Sequence, residues 1–119
     1  MFALAVLVLW VAAALADPLT LRVVEASPGY TTERRPSITI RLDDEGRHTL
    51  AQFTIEHVGE DIEFLSEGRV LMKARLRTPI TGGLFIIVGI FSYDEIVHLA
   101  SRLAIDGKIE VNALGRPQR

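Results

Sequence analysis

From Ser37 to Leu42 the chain alternates without a break. Ile38, Ile40 and Leu42 fall on one side, and Ser37, Thr39 and Arg41 on the other. A strand turns successive side chains to opposite faces, so this stretch suits a sheet with one dry and one wet face. The same period returns at Leu19–Val24, around Ile62 and Phe64, from Arg69 to Leu76 and from Lys108 to Leu114. The run Phe85–Phe91 is denser in apolar residues and predicts a buried strand. Strands this short are not stable alone. They need a shared sheet and a layer that covers its apolar face.

Two helical stretches can supply that layer. Asp43-Asp44-Glu45 suits a helix start, where an Asp caps free amides and acids meet the positive end of the dipole. Leu50, Ala51, Thr54, Ile55 and Val58 then form one broad stripe with Phe53 at its edge, and Gly59 is placed to stop the helix. Ser92 with Glu95 is a capping box, followed at helical spacing by Ile96, Leu99, Ala100 and Leu103 and closed by Asp106-Gly107. Pro28-Gly29 and Arg34-Arg35-Pro36 mark Ala26–Pro36 as a loop, Ser66-Glu67-Gly68 as a hairpin turn, and Thr78–Gly83 as another loop. The order is β β α β β β α β. It predicts an α+β fold, a mostly antiparallel sheet with two helices packed on one face. Without repeat, low-complexity segment or linker, residues 17–119 read as a single domain.

The first residues stand apart. Met1–Ala16 carries no charge, ends in Ala14-Leu15-Ala16 and is followed by Asp17-Pro18. That layout predicts a secretory signal peptide over residues 1–16, cleaved before Asp17, and hence a periplasmic or secreted protein. The rival expectation is a segment left uncut that anchors the chain to the cytoplasmic membrane. The chain has no Cys, so disulfides, thiolate metal sites and Cys nucleophiles are excluded. A formal net charge of −2 offers no general attraction to nucleic acid or an anionic membrane.

Little in the sequence carries catalysis. His48 and His57 are nine positions apart on one helix, which turns them to opposite sides, and His98 stands far off in sequence. Asp43-Asp44-Glu45 lacks the spacing and glycine of a calcium loop. Ser92 has no Gly-x-Ser-x-Gly context. Gly82-Gly83 precedes a strand rather than a helix start, a poor phosphate cradle. These patterns predict a protein that is not an enzyme and holds no cofactor. Lys73, Arg75 and Arg77 alternate with Met72, Ala74 and Leu76, so on a strand the three cations share one face. They are either an edge guard against aggregation or a comb that docks an acidic or extended partner.

Ser37 to Leu103 also resembles a known family, the periplasmic head subdomain of SecD, an accessory subunit of the bacterial Sec translocase. The family's Ile-x-Leu-Asp-Glu-x-Gly strand–helix junction stands here as Ile40-Arg41-Leu42-Asp43-Asp44-Glu45-Gly46. Its Phe-Thr-x-x-x-Val-Gly helix end is Phe53-Thr54-Ile55-Glu56-His57-Val58-Gly59. Its Asp-Gly-Lys-Val hairpin becomes Glu67-Gly68-Arg69-Val70, and its Pro-Ile-x-Gly-Gly loop is Pro79-Ile80-Thr81-Gly82-Gly83. Its Gly-x-Phe-Thr/Ser-x-x-Glu segment is Gly89-Ile90-Phe91-Ser92-Tyr93-Asp94-Glu95.

Departures accompany the match. The family's Ile-Ser-Gly-Asn-Phe is Ile87-Val88-Gly89-Ile90-Phe91 here, and its Ser-Ala-Pro after the hairpin is Met72-Lys73-Ala74. Translocase SecD carries several membrane-spanning helices after the head, and this sequence shows none. The resemblance implies a stand-alone, head-like module that binds polypeptide or a Sec translocon component outside the cytoplasmic membrane. A structural or assembly protein unrelated to secretion is the alternative, and a small secreted hydrolase a remoter one.

Overall fold

The elements follow the expected order: β1 (Leu19–Tyr30), β2 (Pro36–Leu42), α1 (Asp44–Glu56), β3 (Asp61–Ser66), β4 (Arg69–Arg75), β5 (Leu84–Val88), α2 (Tyr93–Asp106) and β6 (Lys108–Gly115). The structure, a computed structural model, describes residues 18–89 and 91–115; the expected signal peptide over residues 1–16 lies outside them. One six-stranded sheet runs β4-β3-β6-β1-β2-β5, and every neighbouring pair is antiparallel. Both helices pack against β1 and β2. The fold is α+β.

The strand pattern explains the core. Ile38, Ile40, Ile87, Ile109 and Val111 are fully buried on the inward face of the sheet, and Leu50 of α1 and Ile96 and Leu103 of α2 close over them. Burying each such side chain is worth about 2 kcal/mol. Phe64 of β3 and Phe85 of β5 stack with ring centroids 4.6 Å apart. Three strands separate β3 from β5 in the sheet order. The sheet must therefore curl until its two ends approach, an extreme of the twist that strands carry.

The sequence patterns erred in three places. Ala26–Tyr30 is strand, not loop: Ala26 pairs with Ile40, Pro28 with Ile38 and Gly29 with Ser37. β1 pairs with β6 only over Leu19–Arg22, so its second half has one bare side. A proline is tolerated there because its missing N–H need not cost a ladder bond. The longer strand carries Tyr30 onto Tyr93 of α2, with ring centroids 4.8 Å apart.

The second error is in β5. It stops at Val88, and Leu84 and Ile86 are half exposed. The strand lies at the end of the sheet and buries only Phe85 and Ile87, on its inner face, so its density in apolar residues does not mean burial on both sides. The third is in α1, whose buried stripe is Gly46, Leu50 and Thr54; Ile55 is 54% exposed, and Val58 lies beyond the helix end.

The caps are as expected. Asp43 Oδ1 accepts from the Gly46 N–H at 2.8 Å. Gly46 is buried where a Cβ would come within 3.2 Å of Leu42 Cβ and 3.5 Å of the Arg22 carbonyl oxygen. The glycine lets α1 start hard against β1. At α2, Ser92 Oγ accepts from the Glu95 N–H and Glu95 Oε1 accepts from the Ser92 N–H, the reciprocal box. Gly107 ends α2 in the left-handed conformation. Among the described residues no helix is long and apolar enough to cross a membrane.

Candidate functional site

β4 and β5 are the two open edges of the sheet. The β4 edge is built by a tight hairpin. Ser66 pairs with Arg69 across Glu67-Gly68, both with positive φ, the conformation a two-residue turn between twisted strands requires. A bulge follows between Phe64 and Leu65 and shifts the register. Beyond it Met72 lies opposite Phe64, Lys73 opposite Glu63, Ala74 opposite Ile62 and Arg75 opposite Asp61.

This register fixes which groups face outward from the edge. The Leu76 N–H donates to the Glu60 carbonyl and the Leu76 carbonyl accepts from the Gly59 N–H. Alternate residues of an antiparallel strand turn their backbone groups the same way, so Ala74 and Met72 also face β3. The backbone groups of Lys73 and Arg75 then point away from the sheet. The two residues whose amides and carbonyls are open to another strand are thus the two that carry the cations.

The sequence groups Lys73, Arg75 and Arg77 as one comb. All three are exposed, but Arg77 lies past the end of β4, so two of them share the strand. Arg75 Nε lies 3.3 Å from Asp61 Oδ1. Glu63, opposite Lys73, is 9% exposed and is reached by Asn112 Nδ2 at 3.5 Å. Among the described residues Lys73 and Arg77 make no ion pair. Two acids against three cations leave this edge of the sheet with a small positive excess.

Next to the edge is a groove of about 280 Å³ lined by Phe64, Met72, Ala74, Arg77, Ile80 and Phe85, among others. Thr54 anchors its far wall: its Oγ1 accepts from the Ile80 N–H at 3.0 Å and donates to the Leu50 carbonyl at 2.8 Å. That contact explains the Phe-Thr and Pro-Ile motifs as parts of one joint between helix and loop.

The other residues weighed for chemistry are scattered. His57 Nδ1 lies 3.0 Å from Glu60 Oε1, His48 lies against Arg47, and His98 lines a separate cleft with Arg69 and Phe91. Among the described residues no three His, Asp or Glu side chains gather as a metal site would require. Ser92 is engaged as a helix cap. Sequence reading missed Asp61 and Glu63 as partners of the comb. Counting back from the turn without the bulge sets Glu63 against Met72, and only the bulge brings Lys73 opposite it.

Comparison with known proteins identifies the family. Residues 20–106 match the family described as SecDF, P1 head subdomain. Protein translocase subunit SecD of Acidaminococcus fermentans is 35% identical over 80 residues, 65% of this chain and 19% of that protein. SecD of Dictyoglomus turgidum is 32% identical over 66 residues, 56% of this chain and 16% of that protein. The chain thus spans about a fifth or less of the length of these relatives. Two solved SecDF structures share the fold. One, of a membrane component that enhances protein export, has a TM-score of 0.67 at 22% identity over 82% of this chain and 45% of its own. The other, in a super-membrane-facing form, has a TM-score of 0.68 at 23% identity over 78% of this chain and 13% of its own. On the extent of the family match, this chain belongs to the SecDF P1 head subdomain family.

Proposed function

We propose that this protein is a non-enzymatic module that binds extended polypeptide outside the cytoplasmic membrane. Residues 1–16 direct its export and are removed before Asp17. The observation that carries the reading is the bare edge of β4, whose Lys73 and Arg75 turn their amides and carbonyls outward. An extended chain adds to such an edge as a further strand. Each main-chain bond contributes about 1 kcal/mol whatever the side chain, so the contact tolerates many sequences. That tolerance is what a module handling diverse exported chains needs. The relatives, as protein translocase subunits, work where such chains pass. Lys73, Arg75 and Arg77 add a preference for acidic segments, held in check by Asp61 and Glu63 and screened by salt. A component of the Sec translocon that offers a strand of its own is the other partner the edge suits.

The test is a titration of unfolded model peptides into isotopically labelled protein. Amide shifts concentrated between Val70 and Arg77, weakened by the Lys73→Ala/Arg75→Ala/Arg77→Ala variant, are the expected result. An unchanged spectrum in that segment at millimolar peptide refutes docking at β4. Mass spectrometry of the exported protein is expected to give Asp17 as its first residue, and an intact Met1 in the membrane fraction would replace the cleaved signal with an anchor.

A further inference from the structure

The groove beside the β4 edge makes its own demand on sequence. With all neighbours antiparallel, the edge strands β4 and β5 run in opposite directions. At one end they meet: the Val88 N–H donates to Met72 Sδ at 3.4 Å, and the Leu71 carbonyl oxygen would lie 3.2 Å from a Cβ on Gly89. At the other end they part over the groove. Ala74 shows that the groove is open. It shares the inward face with Ile62, which is 1% exposed, yet Ala74 itself is exposed, with no described residue lying over it.

We propose that one extended segment of a partner polypeptide completes the sheet on β4, and that the groove selects segments in which apolar and acidic residues alternate. This rests on the reading of β4 as a docking edge and adds the class of segment it takes. A strand laid on β4 presents its side chains alternately to the two faces. Those on the inward face drop onto Met72, Ala74, Ile80 and Phe85, an apolar floor. Those on the outward face stand beside Lys73 and Arg75, where acids find opposite charge and further cations meet like charge directly across the strand pair. Arg77, exposed past the strand end, lines the groove and adds a cation at its rim. An amphipathic helix repeats every 3.6 residues and cannot match a floor that asks for every second one. A Lys- or Arg-rich segment is disfavoured by the same cations.

Three nine-residue peptides separate these demands: Val alternating with Glu, Val alternating with Lys, and the Val/Glu composition in two blocks. Each is titrated into the labelled protein. The alternating acidic peptide is expected to shift the amides of Lys73, Arg75, Leu84 and Ile86 and to bind at least fivefold more tightly than either of the others. Its advantage over the basic peptide should shrink as salt is added, and its advantage over the blocked peptide should not. Lys73→Gln/Arg75→Gln should cut most of the first advantage and keep the second. Arg77→Gln, outside the ladder, should lower the first without disturbing the fold. Equal binding of all three peptides along Val70–Arg77 overturns the selection and leaves docking at β4 standing. Binding that shifts other segments, or none at all, overturns both.

Discussion

The seam between β4 and β5 is shut at one end and open at the other, and the two ends are made of different materials. At the shut end the neighbours are Leu71, Met72, Val88 and Gly89, with Phe91 behind. A Cβ on Gly89 would lie 2.6 Å from Phe91 Cε2, so the glycine is needed for the ring and strand to close up. At the open end stand Ala74, Arg77 and the half-exposed Ile86. The first end is packed to the limit of space, and the second leaves exposed residues around an unfilled groove. In one sheet, rigidity and vacancy are set a few residues apart. A docking edge needs both, since an incoming strand must find a gap whose walls do not collapse.

The largest break in this comparison is Phe64→Ala. Phe64 is 2% exposed and its ring on Phe85 ties the two ends of the sheet together. Its loss is expected to cost about 4 kcal/mol, measured by denaturant unfolding. If the cost is under half of that, the stack is not what holds the sheet curled.

The next measurement sets the ends directly against each other. Gly89→Ala at the shut end must displace Phe91 or the strand, and should cost about 2 kcal/mol. Ala74→Leu at the open end adds more volume but has a groove to take it, and should change stability by less than about 0.5 kcal/mol. Equal costs at the two positions would mean that the groove is closed in solution.

Much of this was legible in the sequence because local chemistry decided it. Asp43 and the Ser92–Glu95 pair fixed where the helices begin, Glu67-Gly68 fixed the hairpin, and the alternation at Ser37–Leu42 fixed the face of β2. What was not legible depended on neighbours. Nothing local says that Pro28 lies on a bare stretch of β1, or that Leu84 and Ile86 belong to an edge and not to a central strand. The candidate site fell between these cases. The alternation of Lys73, Arg75 and Arg77 is local and was visible. That Asp61 and Glu63 sit beneath them depends on the bulge between Phe64 and Leu65, and the groove depends on a curl that shows only where distant strands meet, as Phe64 meets Phe85 and Met72 meets Val88.

The α2 cap, just behind the shut end, gives a smaller test of how firmly that end is held. Ser92→Ala should cost about 1 kcal/mol. Glu95 carries a second signal: the hydrogen bond from the Ser92 N–H, then that with the Ser92 hydroxyl, with Arg69 nearby, hold its carboxyl below the usual carboxylate range. A lowered folded-state value means that the ionised form stabilises the fold. The contribution is present above the value of the unfolded chain and is lost as pH falls through the folded value. Glu95→Gln should therefore lower the melting temperature at neutral pH and make little difference in strong acid. In Ser92→Ala the Glu95 value, read by NMR titration, should rise only part of the way, because the backbone donor remains.

The smallest expected effect on stability concerns the open end, and it separates two uses of the same cations. Lys73 and Arg75 are exposed, and Arg75 meets Asp61 at the surface, where ion pairs contribute little. Lys73→Ala/Arg75→Ala should shift unfolding by less than about 0.5 kcal/mol. Its effect on association is the informative one. A bare edge beside an apolar groove is a template for pairing with another copy, and charges on the edge strand oppose this. If the cations guard the edge, the double variant should self-associate at concentrations where the parent stays monomeric, as sedimentation velocity would show. If they only attract acidic segments, the variant should remain monomeric and lose affinity for those segments alone. β5 sharpens the contrast: Leu84–Val88 carries no charge, and the Val88 N–H is already taken by Met72. Lys placed at Ile86 should then leave the association of the double variant unchanged if β4 is the edge that pairs, and suppress it if β5 is.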